Sequence, residues 1–343
     1  MSANIFQWPN AAVIAPNKFK FKSLSNWSFN TAVGCGHGCT WCFVPSVSTN
    51  KLAAKLATYG VADPDAQWGD YVGVREWNEQ AFLASLRKAE NTPVSELKPD
   101  GNRAVMFCST TDPYQVLSGE QGAIHRFIVR EALSLILNRS TLNVRILTRS
   151  PLAKLDFDLM KSFGHRLLFG MSLPTLNDRL ARIYEPHAPS PTQRLACLRA
   201  AKDAGLNIYV AVAPTYPECD EEDMRRTFEA IAPLKPVTVF HEPINIRAEN
   251  VARIQAHAAS VGQTVDMTPF ESRKAWLAYA IKALAEAQSA GADMKLPIHL
   301  WPDASMGSAV AIQMLHEITG GPPEEIRRWL ESWWNRISEW PND

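Results

Sequence analysis

The residues best suited to chemistry lie in one short stretch. "TAVGCGHGCTWCFVPS", residues 31–46, holds Cys35, Cys39 and Cys42 in the spacing C-x3-C-x2-C. Three thiolates in one loop are soft ligands that favour zinc or an iron–sulfur cluster. Structural zinc takes four ligands, ordinarily from two knuckles apart in sequence. No second knuckle follows here, so His37 or His125 would have to complete the set. An electron-transfer cluster takes four thiolates, and the other cysteines, Cys108, Cys197 and Cys219, stand singly. The remaining arrangement is a cubane cluster on three thiolates, with one iron open to a ligand from outside the chain. Gly34, Gly36 and Gly38 let the loop wrap such a cluster and turn amides toward its sulfides.

Other elements must bring reacting groups to that loop. "WSFNTAV" (27–33) has strand character and runs straight into it. A helical pattern covers 78–91. Beyond it, apolar runs at 103–108, 143–148, 166–173, 207–214 and 236–243 alternate with helical patterns at 123–137, 156–163, 191–205 and 220–232. This alternation predicts parallel βαβ units, and about six strands suit an α/β fold of the partial (β/α)6 TIM-type barrel class. Chemistry then gathers at the C-terminal strand ends, in loops 34–46, 108–115, 148–151, 172–175, 213–217 and 240–247. Residues 1–25 read as an irregular N-terminal arm, 26–245 as the barrel core and 246–343 as a helical extension packing on it. In the arm, "NKFKFKS" alternates Lys and Phe, as an edge strand or a basic-aromatic contact would. The extension holds a helix at 271–291 and an extended segment at 296–303. It ends in a helix at 323–340 carrying Trp329, Trp333, Trp334, Ile337 and Trp340. That stripe suits packing against the barrel or docking of a partner.

The composition bounds the function. The 343 residues, 46% hydrophobic, suffice for a sizeable core. Lys+Arg and Asp+Glu balance at 35 each, unlike a non-specific nucleic-acid binder, although a local basic groove stays open. Clustered rather than paired cysteines point to metal chemistry in a reducing compartment. Neither a secretory pattern nor an apolar run near the ~18 residues of a membrane span occurs, so a cytoplasmic protein without membrane contact is expected.

A C-x3-C-x2-C loop with an aromatic residue, Trp41, before its last cysteine, following the first strand of a βα barrel, is identified as the signature of the radical SAM superfamily. The resemblance implies a [4Fe-4S] cluster on Cys35, Cys39 and Cys42, its open iron chelated by the amino and carboxylate groups of S-adenosylmethionine. An electron entering the sulfonium then breaks its bond to C5′. The resulting 5′-deoxyadenosyl radical abstracts hydrogen from a substrate carbon. A flavodoxin- or ferredoxin-type electron donor is implied as well. The competing reading is a zinc- or cluster-stabilised, non-catalytic module that docks a partner through its Trp-rich tail.

Further motifs fall in one order: "STTDPYQ" (109–115), "VRILTRSPL" (144–152), "GMSLPTLND" (170–178), "YEPHAPSPTQRLACLRAAKDAG" (184–205) and "VAVAPTYP" (210–217). Together they resemble the family related to spore photoproduct lyase, which reverses a thymine–thymine lesion in DNA. The similarity spans roughly 25–245. By that resemblance Ser172 and Arg149 hold the cofactor carboxylate, Arg149 standing where the lyase has a lysine. Ser109, Thr110 and Asp112 approach its amino group and ribose, with Asp112 equally suited to a turn before Pro113. Glu185 and Arg194 form an ion pair or support the cofactor site. Tyr216, His241 and Glu242 end the fifth and sixth strands, placed to position substrate or relay a proton. Aligned on Asp112, the lyase's hydrogen-donor cysteine falls at Ser109, with Cys108 one residue earlier. Neighbours on an extended strand face opposite sides, so Cys108 serves as donor only where the strand bulges or turns. The substrate, a nucleic-acid base or a small molecule or peptide, stays open.

Overall fold

The computed structural model describes residues 3–19 and 24–341. Among them the strands are β1 (Asn4–Ala11), β2 (Ile14–Pro16), β3 (Trp27–Phe29), β4 (Ala32–Gly34), β5 (Tyr71–Glu76), β6 (Ala104–Phe107), β7 (Asn143–Thr148), β8 (Leu167–Ser172), β9 (Ile208–Thr215), β10 (Val239–Pro243) and β11 (Ile298–Leu300). The larger sheet runs β11-β10-β9-β8-β7-β6-β3-β2. Every neighbouring pair from β3 to β11 is parallel, while β2 lies antiparallel on the edge. From β3 onward spatial order follows chain order. The right-handed crossovers therefore all lie on one face, and the sheet curls around the other into a partial barrel. β11 supplies one strand more than the six expected and falls within the extended segment at 296–303.

Alternation along the strands sorts the side chains. Val105 and Phe107, Val144 and Ile146, Phe169 and Met171, and Val210 and Val212 point outward into the core beneath the helices. Met106, Leu147, Leu168 and Tyr209 point inward. Gly170 is needed inside because a Cβ there would overlap the Tyr209 ring. Arg145 is also buried inside, its guanidinium 5.1, 5.6 and 5.0 Å from the rings of Tyr209, Phe240 and Trp340. Its Nη2 donates to Ser338 Oγ at 3.3 Å. The chain's tail thus closes the N-terminal end of the barrel. The helix expected over 323–340 stops at Trp334, capped by Asn335, which frees the residues after it to fold under the sheet. Trp333 is buried, and Trp334 and Trp340 donate to the Pro302 and His165 carbonyls. Trp333, Trp334 and Trp340 therefore pack against the barrel, while Ile337 stays exposed.

Two expectations are corrected. The first residues are not an irregular arm: β1 pairs in parallel with β5, and β2 antiparallel with β3. The partner of β1 lies beyond two short helices, so no local pattern announces the pairing. The Lys–Phe alternation falls largely outside the described residues. The strand expected over 27–33 is also broken in two. β3 joins the barrel, whereas β4 pairs antiparallel with β5 in a three-stranded sheet ordered β1-β5-β4. Gly34 ends β4 at φ +87°, where a Cβ would overlap Tyr71. There the chain swings off the small sheet into the cysteine loop.

Candidate active site

A cavity of about 520 Å³ lies at the C-terminal ends of the barrel strands. Cys35, Cys39 and Cys42 share its wall with Cys108, Ser109, Thr110, Asp112, Arg149, Ser172 and Glu242. Three residues expected beside them are absent from it: Arg194, Tyr216 and His241. Alternation explains His241, because Phe240 faces inward and its neighbour must face out. It is fully buried, with Nε2 2.5 Å from Thr215 Oγ1, and burial lowers its pKa to about 3. Tyr216 stacks flat on Tyr184, ring centroids 4.1 Å apart, in a cluster with Trp41 beneath the cysteine loop. Neither is placed to touch substrate in the cavity.

Arg194 acts one layer back. It donates from Nε to the Pro189 carbonyl at 2.7 Å and from Nη1 to the Ser172 carbonyl at 3.3 Å. Its Nη2 lies 2.5 Å from Glu185 Oε2, while Arg149 Nε donates to Glu185 Oε1 at 2.8 Å. One buried carboxylate thus joins two guanidiniums and leaves a net positive charge. Burial opposes ionisation of Glu185, but Arg194 and Arg149 outweigh it and hold the carboxyl below its usual range. Burial likewise opposes the Arg149 charge, and the Glu185 carboxylate overcomes it. The Arg149 guanidinium also lies 4.9 Å from the Trp41 ring. It presents a cation to the cavity beside the cysteines, in a form suited to a carboxylate.

Asp112 is buried and its carboxylate is engaged. Oδ1 accepts from the Tyr114 amide at 2.8 Å and Thr148 Oγ1 at 2.7 Å, and Oδ2 accepts from the Arg149 amide at 2.8 Å. His37 Nδ1 lies 3.4 Å from the same Oδ2. Asp112 therefore makes the expected turn and also ties the end of β6 to the end of β7 and to the cysteine loop.

Cys35 and Cys39 are buried and Cys42 is half-buried. Burial, then Asp112, pushes Cys35 up to about 12. Burial raises Cys39 and Cys42 as well, against the pull of Arg149 on both. Two loop amides expected to turn toward a cluster are used inside the chain. Gly36 N donates to Gln115 Oε1 at 2.7 Å and Gly38 N to the Cys35 carbonyl at 3.3 Å.

Cys108 lines the cavity on the same side as Met106, just past the end of β6 at Phe107, and its neighbour Ser109 lies on the same wall. Its Sγ lies 3.7 Å from Thr31 Oγ1, and burial raises its pKa to about 12. It is a neutral thiol.

Sequence reading missed the supports. Asn30 Oδ1 accepts from the Ser109 and Thr110 amides, both at 2.9 Å. Gln115 also donates to Thr111 Oγ1 at 2.9 Å, and Thr111 donates to the Gly34 carbonyl at 2.7 Å. Asn250 and Arg253, from a helix assigned to the extension, bind carbonyls of the cysteine loop. Polar side chains near strand ends were the available signal, but such residues are common in any loop.

The Radical SAM superfamily model matches residues 29–231, more than half of the chain. The chain belongs to the radical SAM superfamily. A viral relative, ORF301 of Acidianus two-tailed virus, is 30% identical over 257 residues, 71% of this chain and 78% of its own length. MJ0683 of Methanocaldococcus jannaschii is 24% identical over 226 residues, 65% of this chain and 72% of its own. Among solved structures, spore photoproduct lyase complexed with dinucleoside spore photoproduct superposes with a TM-score of 0.59 at 14% identity, covering 82% of this chain and 77% of that one. A mutant of the same lyase gives a TM-score of 0.62 at 13% identity, covering 87% and 81%. At that identity the likeness shows a shared fold.

Radical SAM proteins use a [4Fe-4S] cluster and S-adenosylmethionine, and this cavity fits both. It offers three thiols on one wall, a held guanidinium for a carboxylate, and a hydroxyl at Ser172. The buried Trp41 Nε1 and His37 Nε2 have no hydrogen-bond partner among the described residues. Among the same residues, no helix is long and apolar enough to cross a membrane.

Proposed function

We propose that Cys35, Cys39 and Cys42 hold the [4Fe-4S] cluster, and that the rest of the cavity binds S-adenosylmethionine and a substrate. Bound together, the two groups supply hydrogen abstraction from an unactivated carbon. Arg149, fixed by Glu185 and Trp41, holds the cofactor carboxylate, with Ser172 beside it. Ser109 and Thr110, braced by Asn30, face the rest of the cofactor. Arg194 and Asp112 position this layer from behind. Cys108, a thiol on the same cavity, would pass one hydrogen atom from its S–H to a substrate carbon radical, leaving a thiyl radical for the electron donor to reduce. Glu242 borders the substrate space. The observation that carries this reading is the meeting of three cysteines, one held guanidinium and a fourth cysteine, Cys108, on a single cavity at the strand ends. Against a docking module stands the use of the tail's indoles for internal packing.

Anaerobic reconstitution tests the proposal. The protein should turn brown with about four irons per chain, and dithionite with S-adenosylmethionine should yield 5′-deoxyadenosine. Cys39→Ala should abolish both. A colourless, zinc-loaded protein that takes up no cluster would overturn the reading. The same preparation separates substrate classes, because a nucleic-acid substrate binds with a steep salt dependence and a small molecule or peptide does not.

A further inference from the structure

One helix, Asn250–Ser260, holds the cysteine loop from outside. Asn250 and Arg253 stand three residues apart on it, hence on one face. Asn250 Nδ2 donates to the Trp41 carbonyl at 3.0 Å. Arg253 donates from Nε to the Thr40 carbonyl at 3.1 Å and from Nη2 to the Cys42 carbonyl at 2.5 Å. Three consecutive carbonyls of the loop are thus taken by two side chains. The remaining guanidinium nitrogen, Nη1, pairs with Asp65, which Asn50 Nδ2 fixes from behind at 3.2 Å. The Arg253 and Asp65 side chains are only 10% and 7% exposed, so solvent screens their charges weakly.

We propose that Arg253 and Asp65 set the reduction potential of the cluster held by Cys35, Cys39 and Cys42. The inference rests on the cluster assignment proposed above. Cluster potential depends on nearby charge and hydrogen bonding. The guanidinium against Cys42 stabilises an added electron and raises the potential. The carboxylate behind it weakens that field and lowers the potential. Asn250 bonds the same loop without a charge and fixes geometry alone. Arg253 is a positioning residue that acts through Cys42.

The two charges pull in opposite directions, which separates this role from simple bracing. The full chain, reconstituted anaerobically, is titrated with the EPR signal of the reduced cluster as readout. Arg253→Gln should shift the one-electron equilibrium against reduction by about tenfold, or about 59 mV. Asp65→Asn should shift it the other way. Asn250→Ala should leave the midpoint in place while iron is lost faster to a chelator. Shifts of Arg253→Gln and Asp65→Asn in the same direction, or none in either, would overturn the proposal. So would an Asn250→Ala shift as large as that of Arg253→Gln. Where Arg253→Gln holds no cluster, the sign of the Asp65→Asn shift decides. A wild-type chain that takes up no cluster refutes the underlying assignment before any variant is compared.

Discussion

Glu185 carries more of the site than any residue that lines it. Its carboxylate is enclosed and is the counter-charge shared by the Arg149 and Arg194 guanidiniums. Removing one partner of a buried ion pair costs about 3–5 kcal/mol, because the other charge is left uncompensated. Glu185→Gln should lose about that much stability in urea unfolding, and S-adenosylmethionine should bind more weakly as Arg149 loses its orientation. A variant as stable and as tight as wild type would show that the guanidiniums need no counter-charge. Cys108 yields a second prediction at this scale. Its folded pKa of about 12 lies above the ordinary 9.0. The neutral thiol is therefore favoured by folding: its contribution is complete below about pH 9 and is lost as pH rises toward 12. At pH 8 its thiolate fraction is about a thousandfold below that of an ordinary thiol. Iodoacetamide should leave Cys108 unlabelled in the native protein and label it after unfolding, as read by peptide mass spectrometry. Rapid native labelling would show a thiolate.

At the scale of elements, what the sequence disclosed follows from how local each signal is. The barrel strands β6 to β10 were legible because apolar runs alternate with helices whose caps are also local. Ser190, for example, accepts from the Gln193 amide in a capping box at the start of Pro191–Asp203. The cysteine spacing is a local signal too, whereas Arg149 and Ser172 were singled out only by the family resemblance. The small sheet was not, since β1 and β5 are far apart and β4 looks like the end of β3. The facing of strand ends was legible only in part. His241 and Glu242 are neighbours, and only the second reaches the cavity. Cys108 was expected to need a bulge or turn, whereas it lies on the cavity side of Met106, and its neighbour Ser109 reaches the same wall. The small sheet makes its own prediction through Gly34. An alanine there must adopt a left-handed φ and displace Tyr71, at a cost of about 1–3 kcal/mol. Gly34→Ala should therefore lower the urea midpoint and reduce iron retained after reconstitution. Unchanged iron content would show that β4 does not set the direction of the cysteine loop.

For the whole molecule, the division into a core of 26–245 and a packed extension meets a structure in which later residues serve the site. Asn250 and Arg253 hold three carbonyls of the cysteine loop, and β11 completes the barrel edge before Trp301 and Asp303 line the cavity. The last helix is different. Leu330 and Trp333 are buried in the main core, and the indoles of Trp334 and Trp340 bond to Pro302 and His165 rather than to the cysteine loop. Two truncations separate these roles. A chain ending after Thr319 loses Leu330 and Trp333 from the core, each contributing about 1.5–3 kcal/mol on burial, and uncovers Arg145 at the barrel's N-terminal end. It should melt at lower temperature and still reconstitute as a brown protein. A chain ending after Asn245 loses the strap on the loop and one barrel edge. It should retain far less iron after gel filtration, even at temperatures where circular dichroism reports helix and strand. Equal iron retention by the two chains would mean that the cysteine loop needs only its own sheet, and that the strap stabilises the fold without holding the site.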